Sequence, residues 1–371
     1  AFFVSHRLPL ALHAKKNGYE VFLLTGLPAS KTMEIEALKI INKYKINYSR
    51  VLISPSGYNF LIDLIGIFQT LIYFIIKRPS IIHTASTKPI LYGGLIAKLL
   101  RIKGLVVSFA GLGYIFTGQR NFLKRILGAV FILIQRTILA YPNSRVIVQN
   151  KDDQNFLINH QLINKERISL IRGSGVDLKK FKYNNSLNSR RIVLFPSRLL
   201  KNKGVIEFLE AAKILTSKYP EWQFHLVGSA DYNHPTTIPL KELNKYLKIK
   251  NIKWHGYKSN MYPFFKNCSI VCLPSYREGM PKSLLEAAAT GKAVVTTNAI
   301  GCRDSIIRNK TGFLVPARNI HKLVGSLEIL MTDNKIRSKF GKRGRQLAEK
   351  IFDLKIVQNE VLKLYEKILI K

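Results

Sequence analysis

The sequence predicts an α/β protein of two doubly wound domains with a cleft between them. Short runs rich in Val and Ile alternate with longer segments of helical periodicity along nearly the whole chain. That is the βαβ rhythm of a parallel sheet covered on both faces. The rhythm starts a second time after the polar stretch Asn184–Ser189 (NNSLNS), which reads as a linker. The length, 371 residues, fits two domains at roughly 100–200 residues each.

The first series opens oddly. A doubly wound domain normally begins with a strand, but here Pro9–Asn17 is helical and ends near Gly18, with only Ala1–Ser5 preceding it. The first strand is therefore expected to be missing from this sequence or cut by its start. Ala1–Leu12 (AFFVSHRLPLAL) has no basic n-region and does not read as a signal peptide. The strands expected next are Tyr19–Thr25, Ser49–Ile53, Ser80–Thr84, Gly104–Phe109 and Ser144–Gln149. The second series gives Arg191–Pro196, Gln223–Val227, Ile252–His255, Ser269–Leu273, Ala293–Thr297 and Gly312–Val315, with amphipathic helices such as Val205–Ser217 between them. Val357, Val361, Leu364 and Ile368 mark a final helix near Ile356–Ile370. The expected division is 1–185, 186–352 and a last helix, 353–371, that crosses back to the first domain. Ligands of such sheets sit outside the carboxyl ends of the strands, here in the cleft.

Composition narrows the function classes. Hydrophobic residues are 47% and charged residues 22%, which excludes a disordered tail, a collagen-like rod and a disulfide-stapled miniprotein. Lys and Arg number 59 against 22 Asp and Glu, a net charge of +37 that calls for a polyanionic partner. Cys268, Cys272 and Cys302 cannot build a disulfide framework and lack further Cys or His at zinc spacing, so buried thiols are expected. Two apolar stretches, Phe60–Ile76 and Ile126–Ala140, are interrupted by Asp63 and Gln69 and by Gln135 and Arg136. Both fall short of the roughly 20 clean apolar residues of a membrane span. Core helices are the expectation, the other reading being that one of them lies in a membrane interface.

The residues able to carry chemistry gather after two strands of the second series. In Ser275–Gly291 (SYREGMPKSLLEAAATG) a strand ends, a tight loop follows, and a helix begins near Pro281. Proline suits a first helical turn and Gly291 suits the position after the last one. The free N–H groups and macrodipole of such a terminus favour phosphate. Glu278 stands in the loop and Glu286 just over a turn inside the helix, and as an exposed carboxylate pair they would accept hydrogen bonds from sugar or ribose hydroxyls. The second patch, Ser197–Gly204 (SRLLKNKG), puts Arg198 and Lys203 on a loop of the same sheet. A planar fork and a point charge suit a diphosphate. Each patch alone is also what a solvated surface would give.

Together, Arg198-x4-Lys203-Gly204 and Glu278-x7-Glu286 resemble glycosyltransferase family 4, whose members are retaining, nucleotide-sugar-dependent enzymes of the GT-B fold with two Rossmann-like domains. Gly173–Phe181 (GSGVDLKKF), Leu226–Gly228, His255–Gly256, Leu273–Ser275, Gly301–Asp304 and Thr311–Val315 also fall where that family has its motifs. The resemblance implies that Arg198 and Lys203 hold the donor diphosphate, Glu286 the ribose and Glu278 the donor sugar. The segment Gly279, Met280, Pro281, Lys282 and Ser283 would contact sugar and phosphate, with backbone N–H groups from each of them except Pro281, which has none. It implies catalytic roles for Glu278, Arg198 and Lys203, no metal, and no cofactor beyond the nucleoside diphosphate sugar, with UDP the expected nucleotide. Two cations and a helix terminus can neutralise a departing diphosphate without a metal.

The first half departs from the common pattern, reading Ser108–Gly113 (SFAGLG) where many members place a His. Phe109–Tyr114 and Phe2–Pro9 (FFVSHRLP) are instead similar to a bacterial branch acting on sugars linked to undecaprenyl diphosphate. His6, His83 and Gly111 are the acceptor-side candidates. The expected partners are the nucleotide sugar, a lipid-linked saccharide acceptor and an anionic membrane surface, with the protein peripheral on the cytoplasmic face of the cell membrane. A nucleic-acid-binding protein is the alternative from another class. It would show Lys and Arg interleaved with aromatics along one groove, or a known module, and the sequence has neither. An epimerase or phosphorylase on the same fold is disfavoured by the Arg198, Lys203, Glu278 and Glu286 set and by the lack of an evident pyridoxal-phosphate lysine.

Overall fold

The computed structural model describes residues 2–28, 30–55, 59–112, 122–183, 190–232 and 234–370. The expected linker Asn184–Ser189 and the Gly113–Tyr114 end of the glycine segment lie outside them. Among these described residues, twelve strands form three parallel sheets. The first domain contributes β1 (Phe22–Thr25) paired with β2 (Asn47–Arg50), and a four-stranded sheet in the order β3 (Ile81–Ala85), β4 (Gly104–Ser108), β5 (Ser144–Val148), β6 (Ile168–Leu170). The second has one sheet of six, made of β7 (Ile192–Phe195), β8 (Gln223–Leu226), β9 (Ile252–Trp254), β10 (Ile270–Leu273), β11 (Ala293–Thr297) and β12 (Gly312–Val315), in the order β12-β11-β10-β7-β8-β9. β4, β10 and β11 are buried along their whole length, which is why they show no alternation of polar and apolar residues in the sequence.

The second domain has the larger core. Phe208 of the Val205–Lys218 helix sits between Phe195 and Phe224, with ring centroids at 5.1 and 5.9 Å. Cys268, Cys272 and Cys302 are buried free thiols. The chain passes between domains at two segments that lie side by side. Val176 donates its N–H to Phe352 at 2.8 Å, and Leu354 donates to Val176 at 3.0 Å. From there the Leu354–Leu369 helix packs on the first domain, against the Leu8–Lys16 helix and β4.

β1 and β3 belong to separate sheets, and a cavity of about 2370 Å³ lies between them. Its walls are the facing edges of these two strands and the apolar side chains around them, and at one mouth it reaches Arg198, Ser229 and Tyr257 of the second domain.

Candidate active site

In the six-stranded sheet β7 connects to β8 on one side, while its other neighbour is β10. The strand order reverses between β7 and β10, and the crevice at such a switch point is where doubly wound sheets take ligands. Both loops that leave these strands on the carboxyl side open there. They are stitched together: Tyr276 donates its N–H to the Asn202 carbonyl at 3.0 Å and Ser275 Oγ donates to the same oxygen at 3.2 Å. Gly204 makes this possible, since at φ +77° it is left-handed and a Cβ there would collide with the Pro274 carbonyl.

The loops bring Lys203 and Glu278 together. Lys203 Nζ lies 2.6 Å from Glu278 Oε1, and Ser275 Oγ donates to that oxygen at 2.9 Å. Glu278 is fixed from behind as well: its N–H donates to Ile300 at 3.0 Å, and left-handed Gly301 packs on its carbonyl. Arg198 is exposed at the edge of the cleft, and the described residues give its guanidinium no partner. Arg198 and Lys203 are thus placed differently, one open to solvent and the other already paired.

The next helix is Lys282–Ala289, with Pro281 as its N-cap rather than its first residue. The amides of Lys282 and Ser283 lie in its first turn, where no intrahelical acceptor exists. Lys282 Nζ reaches across to the first domain and donates to Ser5 O at 2.6 Å, while lying 4.0 Å from Glu286. Glu286 corrects the expectation of an exposed carboxylate pair. It is 8% exposed, and Glu278 is half-buried. Leu284 to Ala289 are all buried, because the helix is sandwiched between the sheet and the Asn334–Leu347 helix and has no solvent face. Burial pushes the Glu286 carboxyl up to about 7, with Lys282 and then Lys180 pulling the other way.

The first domain closes on this loop at Gly279. A Cβ on Gly279 would collide with the Ala110 carbonyl, and Gly111, left-handed at φ +115°, lies against Gly279. Asn150 Nδ2 donates to the Gly279 carbonyl at 2.9 Å and to Asp153 Oδ2 at 2.9 Å. Arg277 pairs with Asp153 at 3.4 Å and Arg303 pairs with Asp152. Met280 sits beneath, receiving a hydrogen bond from Ser305 Oγ and facing Gly173. Sequence reasoning passes over Asn150, Asp152, Asp153, Arg277 and Arg303. The available signal is Gln149–Asp153 (QNKDD), a polar run opening straight off the carboxyl end of β5 with Asn150 as a helix N-cap.

The two histidines have different surroundings. His6 ends the Phe2–His6 helix, with Phe2 stacked on its ring at 4.6 Å and Nδ1 2.7 Å from Ser5 Oγ. Burial first, then Lys282 and Arg7, hold it down at about 4, so it is neutral at pH 7 beside the loop of the second domain. His83, on β3, has both ring nitrogens engaged, Nδ1 with Tyr365 at 2.5 Å and Nε2 with Ser108 at 2.6 Å. Burial, then Arg7, lowers it to about 3. It ties the Leu354–Leu369 helix to the first domain and faces the gap between β1 and β3 rather than the Gly279 loop.

Residues 177–347 match the family model of the group 1 glycosyl transferases. An N,N'-diacetylbacillosaminyl-diphospho-undecaprenol alpha-1,3-N-acetylgalactosaminyltransferase of Campylobacter jejuni is 30% identical over 301 residues, which cover 78% of this chain and 77% of that protein. The chain belongs to the group 1 glycosyl transferases. A UDP-Gal:alpha-D-GlcNAc-diphosphoundecaprenol alpha-1,3-galactosyltransferase of Escherichia coli is 25% identical to this glycosyltransferase, with 74% of this chain and 72% of that one covered. Among solved structures, Anabaena Alr3699/HepE in complex with UDP superposes with a TM-score of 0.75 at 17% identity, covering 94% of this chain and 100% of that one. Sucrose-phosphate synthase from Thermosynechococcus elongatus gives 0.76 at 18% identity, covering 97% and 92%. The fold is GT-B, as the sequence motifs imply.

Proposed function

We propose that this glycosyltransferase moves a hexose or N-acetylhexosamine from a UDP sugar to a saccharide carried on undecaprenyl diphosphate, acting peripherally on the cytoplasmic face of the membrane. The observation that carries the donor half is the pairing of Lys203 with Glu278 at the sheet's switch point, on the loop that leads into the Lys282–Ala289 helix, with Arg198 open to solvent on the neighbouring loop. The acceptor half is supported by the two bacterial relatives, whose names place them on diphospho-undecaprenol-linked sugars. As the bond from the anomeric carbon to the diphosphate breaks, negative charge grows on the leaving oxygens. Arg198, Lys203 and the first-turn amides of Lys282 and Ser283 would take up that charge. Glu278 would lie against the donor sugar and Glu286 against the ribose. His6 and Gly111 would border the acceptor, with His83 holding the domain wall behind them. The test is a panel of nucleotide sugars offered to the purified protein with a polyprenyl-diphosphate saccharide, read as released nucleotide. Acceptor-dependent release from a UDP hexose or UDP N-acetylhexosamine is expected. Release from no nucleotide sugar in the panel would overturn the reading.

Transfer is expected to survive EDTA. If the cations and helix terminus neutralise the diphosphate, chelation removes nothing that the step needs. Loss of turnover in EDTA, restored by Mg²⁺ or Mn²⁺, would show that a metal does this work.

Nucleotide binding should depend on pH through Glu286. Ribose hydroxyls donate, so they prefer the carboxylate, and binding draws the group towards ionisation. With the free group titrating near 7, affinity rises as pH climbs through that value and falls as it drops. Between pH 8 and pH 6 the loss is about tenfold. Glu286→Gln, which cannot titrate, should bind more weakly at pH 8 and show only the pH dependence of the nucleotide itself. Calorimetric titration of UDP into both proteins separates the two contributions. A wild-type profile that overlays the variant's would remove Glu286 from the ribose.

A further inference from the structure

The Phe60–Lys77 helix is apolar on two sides. One face, with Phe74 and the buried Asp63 and Thr70, packs into the first domain. The other shows Leu61, Leu64, Ile65, Phe68, Ile72 and Ile76 to solvent at 72, 51, 50, 62, 41 and 69% exposure. These follow one another at i, i+3, i+4, i+7, i+11 and i+15, a single stripe along the whole helix. The helix Thr87–Leu99 packs against it and Phe122–Leu139 packs on Thr87–Leu99 in turn, and these two expose Leu99 and Leu133 at 70 and 64%. An exposed apolar face of this extent marks a docking surface.

Its charge identifies what docks. Between Glu36 and Asp152 the sequence has one acidic residue, Asp63, and that carboxylate is buried and paired with Lys88 at 2.6 Å. Exposed cations edge the apolar stripe: Lys77 and Arg78 close the first helix, and Lys98 and Arg101 close its neighbour. An apolar stripe flanked by cations, in a stretch of sequence whose one acid is buried, is complementary to a surface whose interior is hydrocarbon and whose headgroups are anionic. Among the described residues no helix is long and apolar enough to cross a membrane, so the contact lies in the plane of the interface.

We propose that the outer face of the Phe60–Lys77 helix, continued by Leu99 and Leu133, is the membrane-inserting surface of the protein, with an anionic lipid bilayer as its partner. This deepens the lipid-linked acceptor reading and rests on it for its purpose, since the surface would bring the cleft to an acceptor held in the bilayer. The test uses the full chain and vesicles free of any saccharide lipid, so it does not depend on that reading. Wild type should float with phosphatidylcholine vesicles containing 30% phosphatidylglycerol (roughly the anionic fraction of a bacterial membrane) and bind pure phosphatidylcholine far less. Raising salt from 0.15 to 1 M should weaken binding without abolishing it, because screening removes the ionic part and leaves the apolar part. The double variant Leu61→Glu, Phe68→Glu should lose binding about tenfold or more, while its thermal shift with UDP stays that of wild type. That shift reports a folded protein with its donor site intact. Wild-type flotation of the variant would overturn the proposal. So would a sedimentation result in which wild type is a dimer, the variant a monomer, and neither binds vesicles, since the face would then belong to a second copy. If vesicles bind as expected but no polyprenyl-linked saccharide is glycosylated, the surface stands and the acceptor reading falls.

Discussion

Replacing Arg198 by alanine is expected to slow sugar transfer by about two orders of magnitude and to leave the protein as stable as before. The two halves of that expectation come from one observation. Arg198 is exposed at the cleft and its guanidinium has no partner among the described residues, so the folded protein loses nothing with it. The bound donor, by contrast, would lose a charge-assisted contact to the oxygens on which charge develops, worth about 3 kcal/mol in a closed site. Lys203→Ala should slow transfer similarly but with a second effect. Lys203 holds Glu278 at 2.6 Å, and with it gone a half-buried carboxylate keeps, among the described residues, the Ser275 hydroxyl alone. An under-satisfied buried group costs about 1–3 kcal/mol, so Lys203→Ala should melt earlier, a cost that loop position alone does not suggest. Thermal melting and steady-state transfer on both variants check this. Wild-type turnover in both would remove the cationic pair from the site. Equal melting losses in both would contradict the difference in their surroundings.

Much of the architecture is legible in the sequence because the central strands β10 and β11 of the second domain are buried on both faces. Runs such as Ile270–Leu273 and Ala293–Thr297 contain nothing but residues a sheet core accepts, and their limits agree with the expectation to within a residue. β2 is less legible. The expected strand is Ser49–Ile53, but the ladder covers Asn47–Arg50; the buried Val51 and Ile53 carry the apolar signal and still bond the β1 side, Val51 N–H to the Thr25 carbonyl at 2.9 Å and Leu27 N–H to the Ile53 carbonyl at 2.8 Å. β6, three residues long, has too little pattern to be seen. The same contrast runs through the site. Lys203 and Glu278 meet because their loops follow adjacent strands, and adjacency can be argued from the βαβ order. Glu286 reads as exposed but is not, although its flanks, Leu284–Leu285 and Ala287–Ala289, already describe a helix without a polar face. The contact of Asn150 with Gly279 joins residues 129 positions apart in different domains, and no local pattern encodes how two domains close.

That closure makes Gly279→Ala the second variant with a large expected effect. The added methyl has no place in this structure, since it would collide with the Ala110 carbonyl and lie 2.7 Å from Gln149 Oε1. Both obstacles belong to the first domain, and one of them is backbone that cannot swing away. The first domain can therefore no longer close on the loop as it does here. The Asn150 hydrogen bond to the Gly279 carbonyl and the pairs of Arg277 with Asp153 and Arg303 with Asp152 would be stretched with it. Displacing reacting groups by about 1 Å lowers transfer by about a hundredfold, and the loss should fall on kcat/KM for the acceptor. UDP binding should be nearly unchanged, because the residues proposed to hold the nucleotide all lie in the second domain. Asn150→Ala gives the graded comparison: across the domain contact it loses one neutral hydrogen bond, worth about 1 kcal/mol, and should cost several-fold in transfer rather than a hundredfold, while the loss of its bonds to Asp153 and of the helix N-cap should show as a lower melting temperature. Calorimetry with UDP alongside transfer kinetics decides. Wild-type transfer by Gly279→Ala would mean that catalysis does not use the closed arrangement. Loss of UDP binding in step with transfer would mean that the methyl disturbs the donor loop itself, and that the fault lies within the second domain rather than in its closure with the first.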